Sequence, residues 1–191
     1  MADRELGEAL VVLARGAIGA AFGITATGAG NHSALDQQGA TFVTLMHDGD
    51  LRGCIGSLEP RRALRIDVRA NALAAAFRDP RFPPLGRREF GAITVEVSLL
   101  SPPETVAVAD EGDFLRQLRP GVEGIVLEYK GHRATFLPQV WDMLPEPRQF
   151  LAALKRKAGL AEDFWSPDMK IARYTVSKWQ ERQFATERAR T

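Results

Sequence analysis

Apolar residues recur first with a helical period. Leu6, Leu10, Leu13 and Ala17 stand at i, i+4, i+7 and i+11, one stripe of a helix that Asp3 can cap and that reaches about Ala21. Gly28-Ala-Gly30-Asn31 breaks the chain. The period then shortens. Ala40 to His47 is rich in Thr, Val and Phe, Asp48-Gly49 is a hairpin turn signal, and Leu51 to Ile55 reads as the return strand, closed by Gly56 and Pro60. A second helix is predicted from about Ala63 to Phe77, with Leu64, Val68, Ala72 and Ala75 inward and Asp79-Pro80 as its stop. After a Pro/Gly/Arg loop over 80–91, Ile93, Val95, Val97 and Leu99 alternate with Thr94, Glu96 and Ser98, which gives a strand two unlike faces. Pro102-Pro103 ends it.

The second half repeats the order of elements without repeating residues. Asp113 to Leu118 is a short helix candidate. Ile125–Tyr129 and His132–Phe136 flank the turn Lys130-Gly131, and Pro138 to Leu144 is a helical turn. A helix from about Pro147 to Ala158 carries Phe150, Leu151 and Leu154, with Gly159 suited to its C-terminal cap. Lys170 to Val176 is a last strand, and from Lys178 the chain reads as a frayed, charged tail. Tight hairpins predict antiparallel pairing and an α+β fold with packed helices, not a doubly wound parallel sheet.

Composition narrows the class. The chain has 191 residues, 45% hydrophobic and 26% charged, which excludes collagen-like and disordered classes and is enough for one domain or two small subdomains. Lys+Arg number 25 and Asp+Glu 24, so no global field draws in nucleic acid or an anionic membrane. The apolar runs, about eight residues at most, are too short to span a bilayer. The N-terminus lacks the basic and apolar regions of a secretory signal, and a cytoplasmic location is the expectation. Cys54 is the single cysteine, which excludes an internal disulfide and a multi-cysteine zinc site.

The most unusual stretch is Leu51-Arg52-Gly53-Cys54-Ile55-Gly56. On a regular strand Arg52 and Cys54 share a face, and a guanidinium beside a thiol favours the thiolate. One reading is therefore a nucleophilic cysteine beside an anion-binding arginine. The other is a buried cysteine acting as a small hydrophobe. His32, His47 and His132 show no metal spacing, and His47, across the Asp48-Gly49 turn, is the nearest candidate base. Arg61, Arg65 and Arg69 recur every fourth residue, which suits either a phosphate-tracking stripe or the solvated face of a helix; the near-zero net charge argues against nucleic acid. Asp79 and Arg81 sit in a loop after a helix, where site residues concentrate, and also suit simple pairing with each other. Thr135 and Lys157 have bland structural readings, a backbone bond and a favourable helix terminus.

Leu51-Arg-Gly-Cys-Ile-Gly56 resembles the signature of the AMMECR family, whose bacterial and archaeal members are described as AmmeMemoRadiSam system protein A. Asp79-Pro-Arg-Phe-Pro-Pro84, Val97-Ser-Leu-Leu100, Gly121-Val-x-Gly-Ile125, Ala134-Thr-Phe-Leu-Pro138, Lys157-Ala-Gly159 and Ile171-Ala-Arg-Tyr174 also match, in order. The resemblance covers about residues 5–182 and leaves a charged tail at 183–191. It implies an α+β fold of two intertwined subdomains with a cleft. It implies a system shared with a Memo-type protein and a radical SAM protein, without assigning a reaction or a cofactor. It points to Cys54 as the reactive group and to Arg52, Gly53, Gly56, Asp79, Arg81, Thr135 and Lys157 as substrate-binding candidates, with no metal ligand among them. The leading expectation is an enzyme or enzyme subunit acting on an anionic small molecule. The alternatives are a non-catalytic, substrate-presenting partner and an RNA-binding protein.

Overall fold

The computed structural model describes residues 4–25 and 32–181. The Asp3 cap, the break at Gly28–Asn31 and the tail at 183–191 lie outside the described residues. The chain divides into two units, one of residues 1–100 and 177–191, the other of residues 101–176 inserted between them.

In the first unit, helix α1 spans Arg4–Ala21, strand β1 Gln38–His47, β2 Asp50–Gly56, β3 Arg62–Ala63, helix α2 Leu64–Phe77, and β4 Ile93–Leu100. The sheet order is β2-β1-β4 with a further strand beyond β4 and β3 pairing with β1, and β2 is the outer strand. The pairings β1·β2 and β1·β4 are antiparallel. Asp48 and Gly49 both have positive φ, 51° and 93°, as the tight hairpin turn requires. Val43, Leu45, Val95 and Val97 are fully buried and cluster with Leu10, Ile18, Val68 and Ala72 of the two helices. The alternation in β4 thus sends one face to the helices, as its sequence predicts, while Thr94, Glu96 and Ser98 take the other.

The second unit contains β5 Glu104–Thr105, helix α3 Glu111–Gln117, β6 Gly124–Tyr129, β7 His132–Phe136, helix α4 Pro147–Lys157 and β8 Lys170–Tyr174, in the sheet order β5-β8-β6-β7. All three pairings are antiparallel. Helix α3 starts two residues earlier than its sequence suggests, because the Asp110 side chain caps it by accepting the Asp113 N–H at 2.7 Å. The core holds Phe114, Ile125, Leu127, Phe150, Leu154 and Ile171. Trp141 and Phe150 stack with ring centroids 3.7 Å apart.

The C-terminal expectation needs correction. The single strand over 170–176 is two strands, β8 and then β9 Val176–Gln180, so residues 178–180 are not a frayed tail. Trp179 is the cause. Its indole is buried against Gly7 of α1, where any side chain would collide with the ring. Lys178 and Gln180 on either side bind Glu96 of β4 at 2.7 and 2.6 Å. Among the described residues no helix is long and apolar enough to cross a membrane.

Two close-packed points tie α2 to the sheet. At its first turn, Asp67 is buried and its carboxylate accepts the Thr41 N–H at 2.8 Å, the Thr41 hydroxyl at 2.7 Å and Asn71 Nδ2 at 2.9 Å on one oxygen. The Ser57 hydroxyl and Arg62 Nε, both at 2.8 Å, bind the other. At the far end of α2, the Ala75 carbonyl fills the space that a side chain at Gly53 would need. Asp67→Ala removes the shared acceptor of five hydrogen bonds and leaves the buried Thr41 N–H without it, and we expect a loss of about 3 kcal/mol, read as a lower urea midpoint. Gly53→Ala forces β2 from α2 backbone that cannot yield, with an expected loss of about 2 kcal/mol in the same assay.

Candidate functional site

Where Cys54 points is decided by a register shift. From the turn, His47 pairs with Asp50 and Met46 with Leu51, but Leu45 pairs with Gly53. Arg52 is the extra residue, a β-bulge. Continued without the bulge, the register set by His47–Asp50 would place Cys54 opposite Val43, on the face covered by the helices. The shift instead places it opposite Thr44. A one-residue slip exchanges the two faces of a strand, so the bulge takes the sulfur out of the core. The regular-strand argument that puts Arg52 and Cys54 side by side does not apply across it.

Cys54 is half-buried, and its sulfur accepts the Thr44 hydroxyl at 3.3 Å. Both of its main-chain polar groups face outward from the outer strand, where the loop after α2 meets them. The Cys54 N–H donates to Asp79 Oδ2 at 2.8 Å, and Arg81 Nη2 donates to the Cys54 carbonyl at 3.2 Å. Arg81 also grips Asp79 through Nε at 3.0 Å and Nη2 at 2.7 Å, while the Arg81 N–H adds a bond of 3.1 Å. Arg81, first, and then the Cys54 N–H hold the Asp79 carboxyl far below the usual carboxylate range, against the opposing effect of burial. The Asp79 side chain is 2% exposed and that of Arg81 53%, so one edge of the guanidinium is pinned and the other meets solvent.

Arg52 is used differently. Its Nε and Nη2 bind the two oxygens of Glu89 at 2.9 and 3.2 Å, and its side chain is only 13% exposed. Glu89 also accepts the Gly86 N–H at 2.7 Å, and Arg52 followed by that N–H keeps its carboxyl below the ordinary range. The half-buried Phe82 ring lies 6.0 Å from the Arg52 guanidinium and 5.5 Å from that of Arg81. Each Arg–carboxylate pair is neutral, and the Asp79–Arg81 pair is the one bonded to Cys54. The glycines serve packing: Gly53 admits the Ala75 carbonyl, and Gly56 lies against the Phe42 ring.

Of the eight candidates, the first unit brings together Arg52, Gly53, Cys54, Gly56, Asp79 and Arg81. Thr135 and Lys157 belong to the second unit and meet each other there. Lys157 Nζ donates to the Thr135 carbonyl at 3.0 Å and lies 5.0 Å from the Phe136 ring. The Thr135 hydroxyl is 3.0 Å from Tyr174 Oη, which donates to the Phe136 carbonyl at 3.1 Å, and burial pushes the Tyr174 phenol up. His47 stands three strand residues from Thr44, about 10 Å along β1, and faces Asp48 at 3.4 Å. In the arginine series on α2, Arg65 pairs with Asp36 at 2.7 Å, and Arg61 just before it pairs with Glu59. Among the described residues no three His, Cys, Asp or Glu side chains gather to hold a metal ion.

Thr44 and Glu89 were not apparent from the sequence. Thr44 is one of several polar residues on a strand, and only the bulged register gives it to Cys54. Glu89 lies 37 residues from Arg52 in a loop with no periodicity.

The comparisons agree with this architecture. A family model described as AMMECR1 matches residues 11–179. Protein MJ0810 of Methanocaldococcus jannaschii is 39% identical over 140 residues, covering 70% of this chain and 68% of that protein. A protein of Saccharolobus islandicus, LS215_2104, is 38% identical over 176 residues, covering 85% of this chain and 75% of its own. The crystal structure of the uncharacterized protein PH0010 from Pyrococcus horikoshii aligns with a TM-score of 0.75 and 32% identity, over 94% of this chain and 93% of that one. With the family model spanning both units and relatives of this identity, the chain belongs to the AMMECR1 family.

Proposed function

We propose that this protein is an enzyme, or a subunit of one, whose Cys54 thiol attacks a small electrophilic substrate while the outward edge of Arg81 holds an anionic group of that substrate. The reading includes work alongside a Memo-type and a radical SAM protein. In the step itself the sulfur gives its lone pair to an electrophilic carbon. The leaving group departs with the electrons of the broken bond, and the thiol proton passes to solvent.

One observation carries this reading: the sulfur stands on the polar face of an outer strand while its neighbours hold that position. Gly53 and Gly56 accommodate packing, Ile55 lies against the core and Arg52 is tied to Glu89. The main chain of Cys54 is bonded on both sides, and the sulfur itself meets a hydroxyl and stands near a guanidinium. Of the two arginines, Arg81 is the one with guanidinium surface to offer an anion.

Alkylation tests both halves. The native protein is expected to take up iodoacetamide on Cys54 within about tenfold of the rate of the unfolded chain, and protection beyond about a thousandfold defeats the nucleophile. The ratio of iodoacetate to iodoacetamide rates reports charge at the sulfur. It is expected to fall about threefold in Arg81→Gln, and an unchanged ratio removes the anion-binding role. Because Asp79 stays ionised, the rate–pH curve is expected to carry no inflection between about pH 3 and 5; one there would show a titrating carboxylate at the thiol.

A further inference from the structure

We propose that Asp79 is a positioning residue for the Cys54 thiol, acting through the main chain and through Arg81, and that it does not contact substrate. The inference rests on the reading of Cys54 as the working thiol and adds how that thiol is held.

An outer strand leaves alternate N–H and C=O groups without a ladder partner. In β2 the pair at Cys54 is served by two side chains of one loop, Asp79 for the N–H and Arg81 for the carbonyl. The two are joined to each other by three bonds, so the loop acts as a clasp that closes on one residue. Asp79 is its hub. Both carboxylate oxygens are occupied, and the side chain is almost wholly buried. A substrate atom would have to displace a bond already made, whereas Arg81 keeps an open edge. The clasp also fixes pairing geometry. With both polar groups of Cys54 turned outward, Cys54 and Thr44 form the non-hydrogen-bonded kind of antiparallel pair, in which side chains approach most closely. That approach lets the Thr44 hydroxyl reach the sulfur. The inward-facing Gly53, seated on Ala75, and the Arg52–Glu89 pair hold the residues just before it. Asp79 thus orders the backbone of Cys54, the backbone orders the sulfur, and Arg81 is kept beside it.

The test uses the full chain and two site-resolved measurements, amide exchange and iodoacetamide alkylation. In Asp79→Ala the Cys54 amide is expected to exchange at least about tenfold faster than in the parent, while the Val95 amide in the sheet interior keeps its protection. Alkylation at neutral pH is expected to slow about threefold as the thiol loses its hydroxyl and guanidinium neighbours. Asp79→Asn, which keeps one acceptor, is expected to restore most of the amide protection. Arg81→Ala, at a half-exposed position, removes the bond to the Cys54 carbonyl and the two side-chain bonds to Asp79 while leaving Asp79 on the Cys54 N–H, and it guards against a folding failure; it too is expected to slow alkylation. Unchanged amide exchange and alkylation in Asp79→Ala overturn the proposal. So does a loss of protection spread equally to Val95, or an Arg81→Ala variant that alkylates like the parent. A parent Cys54 that fails to alkylate defeats the proposed function, whereas a reactive parent with unaffected variants defeats only the positioning role.

Discussion

The constraint on which the site depends is the unpaired outer edge of β2. Backbone groups there must find partners other than a neighbouring strand or remain open to water and to stray pairing. At Cys54 the partners are a carboxylate and a guanidinium from one loop, and their mutual attraction lets a short segment satisfy both. Arg81 therefore has two roles on two edges of the same planar group. One edge closes the clasp, and the other is left open to solvent.

The bulge at Arg52 has comparable weight. It costs one ladder position and gains a change of face for everything that follows in β2. The same six residues in unbroken register would have made Cys54 a core residue, which is the other reading its sequence allows. Arg52, displaced from the ladder, is then tied down by Glu89. The face of β2 on which Cys54 lies is thus decided by backbone count and not by the chemistry of the side chain.

Much of the architecture was legible. The helical stripe of α1, the two hairpin turns and the alternation of β4 are each a local pattern, and each held. Three features were not. Strand β9 hides in a charged stretch because its one buried residue, Trp179, is matched to a missing side chain at Gly7, far away in sequence. The network around Asp67 left a fainter trace: Asp67 and Asn71 are polar residues four apart on the inward side of α2, where apolar ones are expected. The bulge left none, since nothing in Leu51–Gly56 shows which residue steps out of the ladder. The site candidates divided along the same line. Asp79 and Arg81 were legible as a pair because they are neighbours, while Thr44 and Glu89 depend on register and on a long loop.

The insertion of residues 101–176 between β4 and β9 sets a schedule for biosynthesis. Translation runs from the N-terminus, so α1, β1, β2 and β4 leave the ribosome well before the strand that completes their sheet. During that interval the groove over Gly7 has no indole in it and the outer side of β4, with the buried Glu96, has neither Lys178 nor Gln180. The inserted unit has its own core and can organise while the first waits. The arrival of Trp179 is therefore the event that finishes the earlier-made half.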